Sequence, residues 1–402
     1  MDRYNQHYHL HRHIHWKKFF CDSYNDLVIA DTFRLLALSM ISIFVPIFLI
    51  DKLSIGILNV ALFELFFFIL SIFFHYYLVT WTGKVGAKKI MISSYFLNCL
   101  LFFTLYQGEL INSILGGFIF ILFIALLNAL ASTTYWTAHH LYFLRCTRVE
   151  ESGTKLGILN SVPVIASISG PFIGSILIVE WSYNAVFLFN IFILFIASLS
   201  LMFSKDLKVS IKLNKKRIVD KENIQKNAIY FAQGLAYCST GFIWPILIFV
   251  SSIEIITIGS LMLFANIGQA LVVYLGGKAA DNDTSGKFIT IGTFGHGASI
   301  FLRALYLTPV FITTFWLMGG LFGGLRNITI DSNFFKHSHR DSGNKIMNRE
   351  LYMHLGRIMT VFIFLMSLAV FGFYMGLIST LLIVGVINLL VSFVTYKNNV
   401  KL

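Results

Sequence analysis

Apolar stretches of about 20 residues follow one another along this chain, separated by short polar breaks. A hydrocarbon core about 30 Å thick takes roughly 20 apolar residues per crossing helix. Runs of that length lie near 27–51, 56–80, 90–107, 110–143, 157–179 and 183–203, and again near 228–251, 255–276, 288–307, 308–331, 351–374 and 375–396. Glycines inside the runs fit helices, whereas a membrane barrel shows alternating segments of about ten residues. The pattern predicts an all-α integral membrane protein with twelve transmembrane helices.

The longest break, 204–227 (SKDLKVSIKLNKKRIVDKENIQKN), divides the runs six and six. Each half carries a basic turn after its second helix and another after its fourth, so the halves are alike in plan. Parallel six-helix repeats around a midplane site are a transporter architecture. The expectation is therefore two pseudo-symmetric six-helix bundles with a central cavity. The predicted divisions are a His-rich tail at 1–26, a first bundle at 27–203, a basic linker at 204–227, a second bundle at 228–396 and a short tail at 397–402. Part of the linker, KKRIVDKENIQK, is expected to form a surface helix.

Composition agrees: 57% of residues are hydrophobic and 12% charged, too few charges to cover a soluble domain of 402 residues. The first 20 residues are basic and His-rich and carry no cleavable signal pattern. With the N-terminus inside, the inner segments hold 27 of the 31 Lys and Arg residues. That is the positive-inside bias, and it predicts that both termini face the cytoplasm. It also accounts for the net charge of +12 without nucleic acid. A multi-pass plasma-membrane protein, of the bacterial inner membrane, is the expected location, and a monomer the expected state. Cys21, Cys99, Cys146 and Cys238 have no CxxC spacing, which suggests neither a metal knuckle nor a redox pair.

Polar residues inside the runs are the candidate chemistry, because each ionised group at mid-bilayer costs about 2.5–3.5 kcal/mol on insertion scales. Glu64 is the one acid in the middle third of a predicted helix, and Ser71 and His75 share its stripe. A carboxylate and an imidazole on one stripe can pass a proton, or can serve as structural glue between helices. Asp31 and Arg34, three apart, suit an intrahelical ion pair or a coupling role. Asn128, Ser132, Tyr135 and His139 line one face of the fourth helix, and Gln233, Tyr237, Thr240 and Trp244 one face of the seventh. With Asn266 and Gln269 they are candidate cavity-lining residues, polar and aromatic on a shared stripe. His139 and His140 are expected near the hydrated inner surface. His296, Ser299 and Arg303 lie along one side of the ninth helix, where Arg303 could meet a substrate anion. In GGLFGGLRN, the pairs Gly319/Gly323 and Gly320/Gly324 define two close-packing faces. The alternating His7, His9, His11, His13 and His15 are weak metal candidates. A basic tail touching anionic lipid is the preferred reading there, so no metal site and no cofactor is expected.

Two motifs carry a family resemblance. In WTGKVGAKK the first-half loop holds Lys84, Gly86, Lys88 and Lys89, and in GGKAADNDTSGK the second-half loop holds Gly277, Asp281 and Lys287. These are similar to G-x-x-x-D-[RK]-x-G-[RK]-[RK] after the second helix of each half in the major facilitator superfamily of secondary transporters. The first-half copy departs from it, with Gly83 in place of the acid and Val79 in place of the first glycine. In the fifth helix, Gly157, Ala166, Gly170, Pro171, Gly174 and Ser175 resemble the antiporter pattern G-x8-G-x3-G-P-x2-G-G. The fourth helix lacks the internal Arg usual in the family's drug exporters. The resemblance implies alternating access, with these loop and glycine residues in gating.

No GxxxxGK[ST] phosphate loop is present, so ATP is not expected to be the direct energy source. The predicted function is secondary active transport, by proton-coupled export of a small amphipathic compound, with proton-coupled uptake of a metabolite second. The expected partners are that substrate, protons and the lipid bilayer. From other classes, a non-transporting sensor on the same fold and a membrane-embedded transferase remain alternatives. The nearest catalytic candidates for the transferase are His139 and His140 with Glu150 and Glu151. The chain is expected not to be an enzyme.

Overall fold

The computed structural model of the protein describes residues 23–147, 152–202, 204, 211, 213–214, 218–219, 223–279, 285–339 and 341–397. Among the described residues there is no strand. Twelve long helical tracts account for nearly all of them. We number them α1 (Ser23–Asp51), α2 (Ile57–Val85), α3 (Ala87–Tyr106), α4 (Gly117–Cys146), α5 (Ser152–Ser167 continued by Gly170–Glu180) and α6 (Tyr183–Met202). The second set is α7 (Ile224–Val250), α8 (Ile255–Ala279), α9 (Ser285–Leu305), α10 (Pro309–Ser338), α11 (Ser342–Phe371) and α12 (Phe373–Lys397). Eleven of these are long and apolar enough to cross a membrane, and α10 is long enough but more polar.

Helix breaks follow local chemistry. α1 is interrupted before Val45 and resumes with Pro46 in its first turn, where the missing N–H costs nothing. α5 breaks ahead of Gly170 and restarts on Pro171. α7 holds a five-residue π turn, Ser239–Ile243, followed by Trp244 and Pro245 at the restart of the α-helix. The run read as one helix over 110–143 is two. A short helix, Gly108–Leu115, stops at Gly116, whose φ of +77° only glycine adopts readily, and α4 starts at Gly117.

Helix contacts repeat with an offset of six. α1 packs on α5 and α6, α2 on α4, and α3 on α4 and α6; in the second half α7 packs on α11 and α12, α8 on α10, and α9 on α10 and α12. The halves meet through α2 against α11 and α5 against α8, two contacts that exchange under the same symmetry. Large apolar residues such as Phe73, Phe96, Phe192, Leu390 and Phe393 are exposed around the outside, as a lipid-facing surface requires.

One boundary is corrected. The charge count takes 332–357 as an inner segment, overlapping the start of the run at 351–374, but α10 continues to Ser338 and α11 begins at Ser342. Arg349 and Arg357 are therefore helix residues inside α11, and Arg349 is buried, so neither counts as a loop charge. Of the linker stretch KKRIVDKENIQK, residues 215–217 and 220–222 lie outside the described residues; Ile218 and Val219 lie in bends, and α7 starts at Ile224, where the Asn223 side chain accepts from the Lys226 N–H. The lysine-rich first-half loop has a direct structural use: the Lys88 ammonium donates to the carbonyls of Met202 and Ser204, tying α3 to the end of α6.

Candidate functional site

Ionisable side chains collect where α1, α2, α4, α10 and α11 come together, toward the ends of the bundle at which α1 begins and α12 finishes. Asp31 on α1 is 6% exposed and accepts from the Tyr135 hydroxyl at 2.5 Å and from His139 Nε2 at 2.7 Å, both on α4. Arg34 lies with its guanidinium 3.4 Å from the centre of the Tyr135 ring. Asp31 and Arg34 thus make no ion pair with each other, and the intrahelical pairing allowed by their spacing gives way to α4. The hydrogen bonds and the cation–π contact are worth more in a dry interior than a short-range pair on one helix surface.

Beside this lies a second carboxylate, Glu350 of α11, 4% exposed. His140 Nε2 of α4 is 3.4 Å from its Oε1; His75 Nε2 of α2 and His354 Nε2 of α11 are 3.6 and 3.9 Å from its Oε2. His75 Nδ1 is held by the Thr137 hydroxyl at 2.8 Å. Two imidazoles of the first half therefore converge on one carboxylate of the second. Phe334 and Phe335 of α10 pack against the His140 ring, which adds an aromatic seal to the join. Within the second half, Arg349 reaches Asp331 at 2.6 Å and stacks over Phe334. Its neighbour Asn348 donates to Asn227 on α7.

The Glu64–Ser71–His75 stripe does not act as one chain. Ser71 bonds back to the Phe67 carbonyl, His75 turns to Glu350, and Glu64 stands within electrostatic reach of Arg357 on α11. The expected hydration of His139 and His140 is also corrected, since both are buried on carboxylates. Glu150 and Glu151 lie outside the described residues.

The other candidates disperse. Asn128 and Ser132 are half-buried on α4. Gln233 Nε2 donates to the Tyr237 hydroxyl and to Asn327 Oδ1 of α10. Thr240 sits in the π turn, where its hydroxyl has no partner among the described residues. Trp244 packs edge-on to Trp316 and lies under the Arg303 guanidinium at 5.3 Å, with its indole N–H unpaired among the described residues. Arg303 is 1% exposed; among the described residues it bonds only to Ser299 and leaves Nη1 unpaired. Asn266 and Gln269 are half-buried on α8.

The glycines separate by neighbour. A Cβ on Gly170 would meet the Ser39 side chain of α1, and one on Gly174 would overlap the Met40 carbonyl. Gly320 faces Ala265 and Gly324 faces Gln269 on α8, while Gly319 and Gly323 face Arg303 and His296 on α9. Gly157 is buried near the start of α5, where its carbonyl accepts from Ser161. Gly86 turns the α2–α3 corner with φ of +106°; Lys84 and Lys89 beside it are exposed. Gly277 lies in the last turn of α8 and Lys287 is exposed in the first turn of α9; Asp281 lies outside the described residues, as do His7, His9, His11, His13 and His15.

Arg349 and Glu350 escaped the sequence reading because they fall in the polar stretch between the tenth and eleventh runs, and Asp331 and His354 because they sit at the ends of those runs, where polar residues are ordinary. The available signal was the His354 imidazole four residues after Glu350, which places both on one helix face.

Twelve helices in two related bundles, with buried charges at the join, define a polytopic membrane-transporter fold. Residues 27–225 match the family model of the Major Facilitator Superfamily. The structure is similar to that of the human organic anion transporter MFSD10 (TETRAN), with a TM-score of 0.67 at 9% identity, covering 93% of this chain and 99% of that one. It is similar also to the E. coli fucose:proton symporter FucP, with a TM-score of 0.66 at 12% identity, covering 94% and 99%. Among curated protein sequences none matches the chain significantly. The family match thus covers the first half of the chain, and the fold is shared along nearly its whole length.

Proposed function

We propose that the protein is a proton-coupled secondary active transporter that works by alternating access and exports a small amphipathic compound bearing an anionic group. The observation that supports this most is the buried carboxylate Glu350 of the second half, approached by His75 and His140 of the first. A titratable cluster that spans the moving join lets proton binding and the opening of that join depend on each other. Asp31 with Tyr135 and His139, and Glu64 near Arg357, are further proton carriers on this reading. The anionic group is drawn from Arg303, a buried cation with no carboxylate partner among the described residues, beside the unpaired indole N–H of Trp244. Gln233, Tyr237, Thr240, Asn128, Ser132, Asn266 and Gln269 supply the remaining polar lining.

Both termini are assigned to the cytoplasm on the charge bias, with the chain a monomer in a bacterial inner membrane. Proton-coupled uptake of an anionic metabolite is the second reading, and the same Arg303 favours it. The two structural neighbours carry an organic anion and, with protons, fucose; their low identity supports the fold alone.

Proteoliposomes with an imposed pH gradient separate the readings. An acidic lumen drives accumulation of a fluorescent amphipathic anion by antiport through outward-oriented protein; an acidic bath drives it by symport. Flux that ignores both gradients overturns proton coupling, and equal flux in Glu64→Gln and Glu350→Gln removes those carboxylates as carriers.

A further inference from the structure

Three side chains, His75, Glu350 and His354, place one ligand atom each within 4.8 Å of one another, and all three are buried. We propose that they form a site for a divalent transition-metal ion of the zinc class, bridging the two halves of the protein. Tetrahedral zinc with Zn–N and Zn–O bonds of 2.0–2.2 Å sets its ligand atoms about 3.3 Å apart. The His75 Nε2–Glu350 Oε2 and His354 Nε2–Glu350 Oε2 separations, 3.6 and 3.9 Å, exceed that by about 0.3 and about 0.6 Å, within the reach of small side-chain rotations. Two imidazoles and one carboxylate with an open fourth position are a donor set that zinc uses elsewhere.

The surroundings are built as metal sites are. The Thr137 hydroxyl takes the His75 Nδ1 side at 2.8 Å, which leaves Nε2 facing Glu350 and fixes the ring. His140 Nε2, 3.4 Å from Oε1, steadies the carboxylate oxygen that the ion does not need. His354 Nε2 is buried with no hydrogen-bond partner among the described residues, so its lone pair is available to an ion. One feature opposes binding: Arg357 Nη1 approaches His354 Nδ1 at 3.4 Å. Binding an ion at Nε2 puts the ring proton on Nδ1, so Arg357 must withdraw, and Glu64 is the acid within its electrostatic reach. The site therefore links an ion to the Glu64–Arg357 pair. Because α2 supplies His75 and α11 supplies Glu350 and His354, an ion held there fastens the halves together on that side.

The test is binding, independent of transport direction and of proton coupling. Full-length protein is purified in detergent with His7, His9, His11, His13 and His15 replaced by Gln, to silence the tail. It is titrated with Zn²⁺ by calorimetry and with Co²⁺ by visible absorption. We expect one ion per chain at micromolar concentration or below and the intense visible bands of four-coordinate Co²⁺. His75→Ala and His354→Ala abolish both signals. Thr137→Val, nearly isosteric and away from the ion, weakens binding about 10-fold or more by freeing the His75 ring. Arg357→Gln tightens it, which a purely structural role for the cluster does not predict. Absence of binding in the tail-substituted chain, or binding that survives His75→Ala and His354→Ala in protein that elutes as a single folded species, overturns the proposal.

Discussion

The two main contacts that join the halves are related by the internal symmetry yet are built from opposite materials. Where α5 meets α8, the surface is made by absence. Gly259 of α8 lies so close to Pro171 and Ser175 of α5 that any Cβ would overlap them. Nearby, Gly170 and Gly174 let α5 press equally closely on α1. Where α2 meets α11, the surface is made of ionisable groups, with His75 on Glu350 and the Phe68 ring beside both His354 and the Arg357 guanidinium. A glycine contact is van der Waals packing, indifferent to protons, and keeps its strength as long as the backbones stay close. A His–carboxylate contact changes strength with every proton or cation that arrives. One join is suited to be a hinge surface and the other a latch.

Glu350→Gln should have the largest effect. It keeps the shape and removes the charge on which three imidazoles converge. Charge-assisted hydrogen bonds are worth about 1.5–3 kcal/mol each, so gradient-driven flux should fall by about tenfold or more. Initial rates in proteoliposomes measure it, and unchanged flux would dissolve the distinction between latch and hinge.

Next is Gly259→Ala. The added methyl would sit 2.6 Å from the Pro171 carbonyl oxygen, a backbone atom that cannot rotate away. Overpacking of this kind costs about 1–3 kcal/mol, to be seen as a lower thermal midpoint in detergent. Its effect should not vary with pH or added metal, whereas that of Glu350→Gln removes such dependence.

A smaller effect follows from adding Ser175→Gly to Gly259→Ala. The serine Oγ and Cβ are two of the three atoms nearest the new methyl, so the midpoint should recover in part but not wholly, because the Pro171 oxygen remains. Full recovery would mean that the backbones can part, and that the contact is looser than a hinge needs. The smallest effect belongs to Gly241→Ala in the π turn of α7, where a Cβ meets nothing within 4 Å. In an ordinary helix that change would stabilise by up to about 1 kcal/mol. If flux drops instead while the midpoint holds or rises, the π turn takes part in the motion.

The same contrast explains what could be read from the chain directly. Helix number, order and most ends were legible because a crossing helix must carry its own run of apolar residues; the run near 183–203 becomes α6, Tyr183–Met202. The glycines of α5 were legible as small residues at helix spacing, though not their neighbours Ser39, Met40 and Gly259. The charged cluster was legible only in part. Asp31, Tyr135, Glu64 and His75 stood out as polar residues in apolar runs. Arg349 and Glu350 lie in the polar stretch between the tenth and eleventh runs, and averaging over such a window hides the ends of both helices.

Sequence by itself therefore determined the class and the order of the long helices in two sets of six, since in a bilayer backbone satisfaction and apolar length are local requirements that each segment meets alone. Only the tertiary structure decided which charge answers which. Asp31 left Arg34, its neighbour in sequence, for Tyr135 and His139 more than a hundred positions away. His75 left the Glu64 stripe for Glu350 in the other half. A buried charge seeks the partner that best repays its lost hydration, and that partner is fixed by helix packing rather than by distance along the chain.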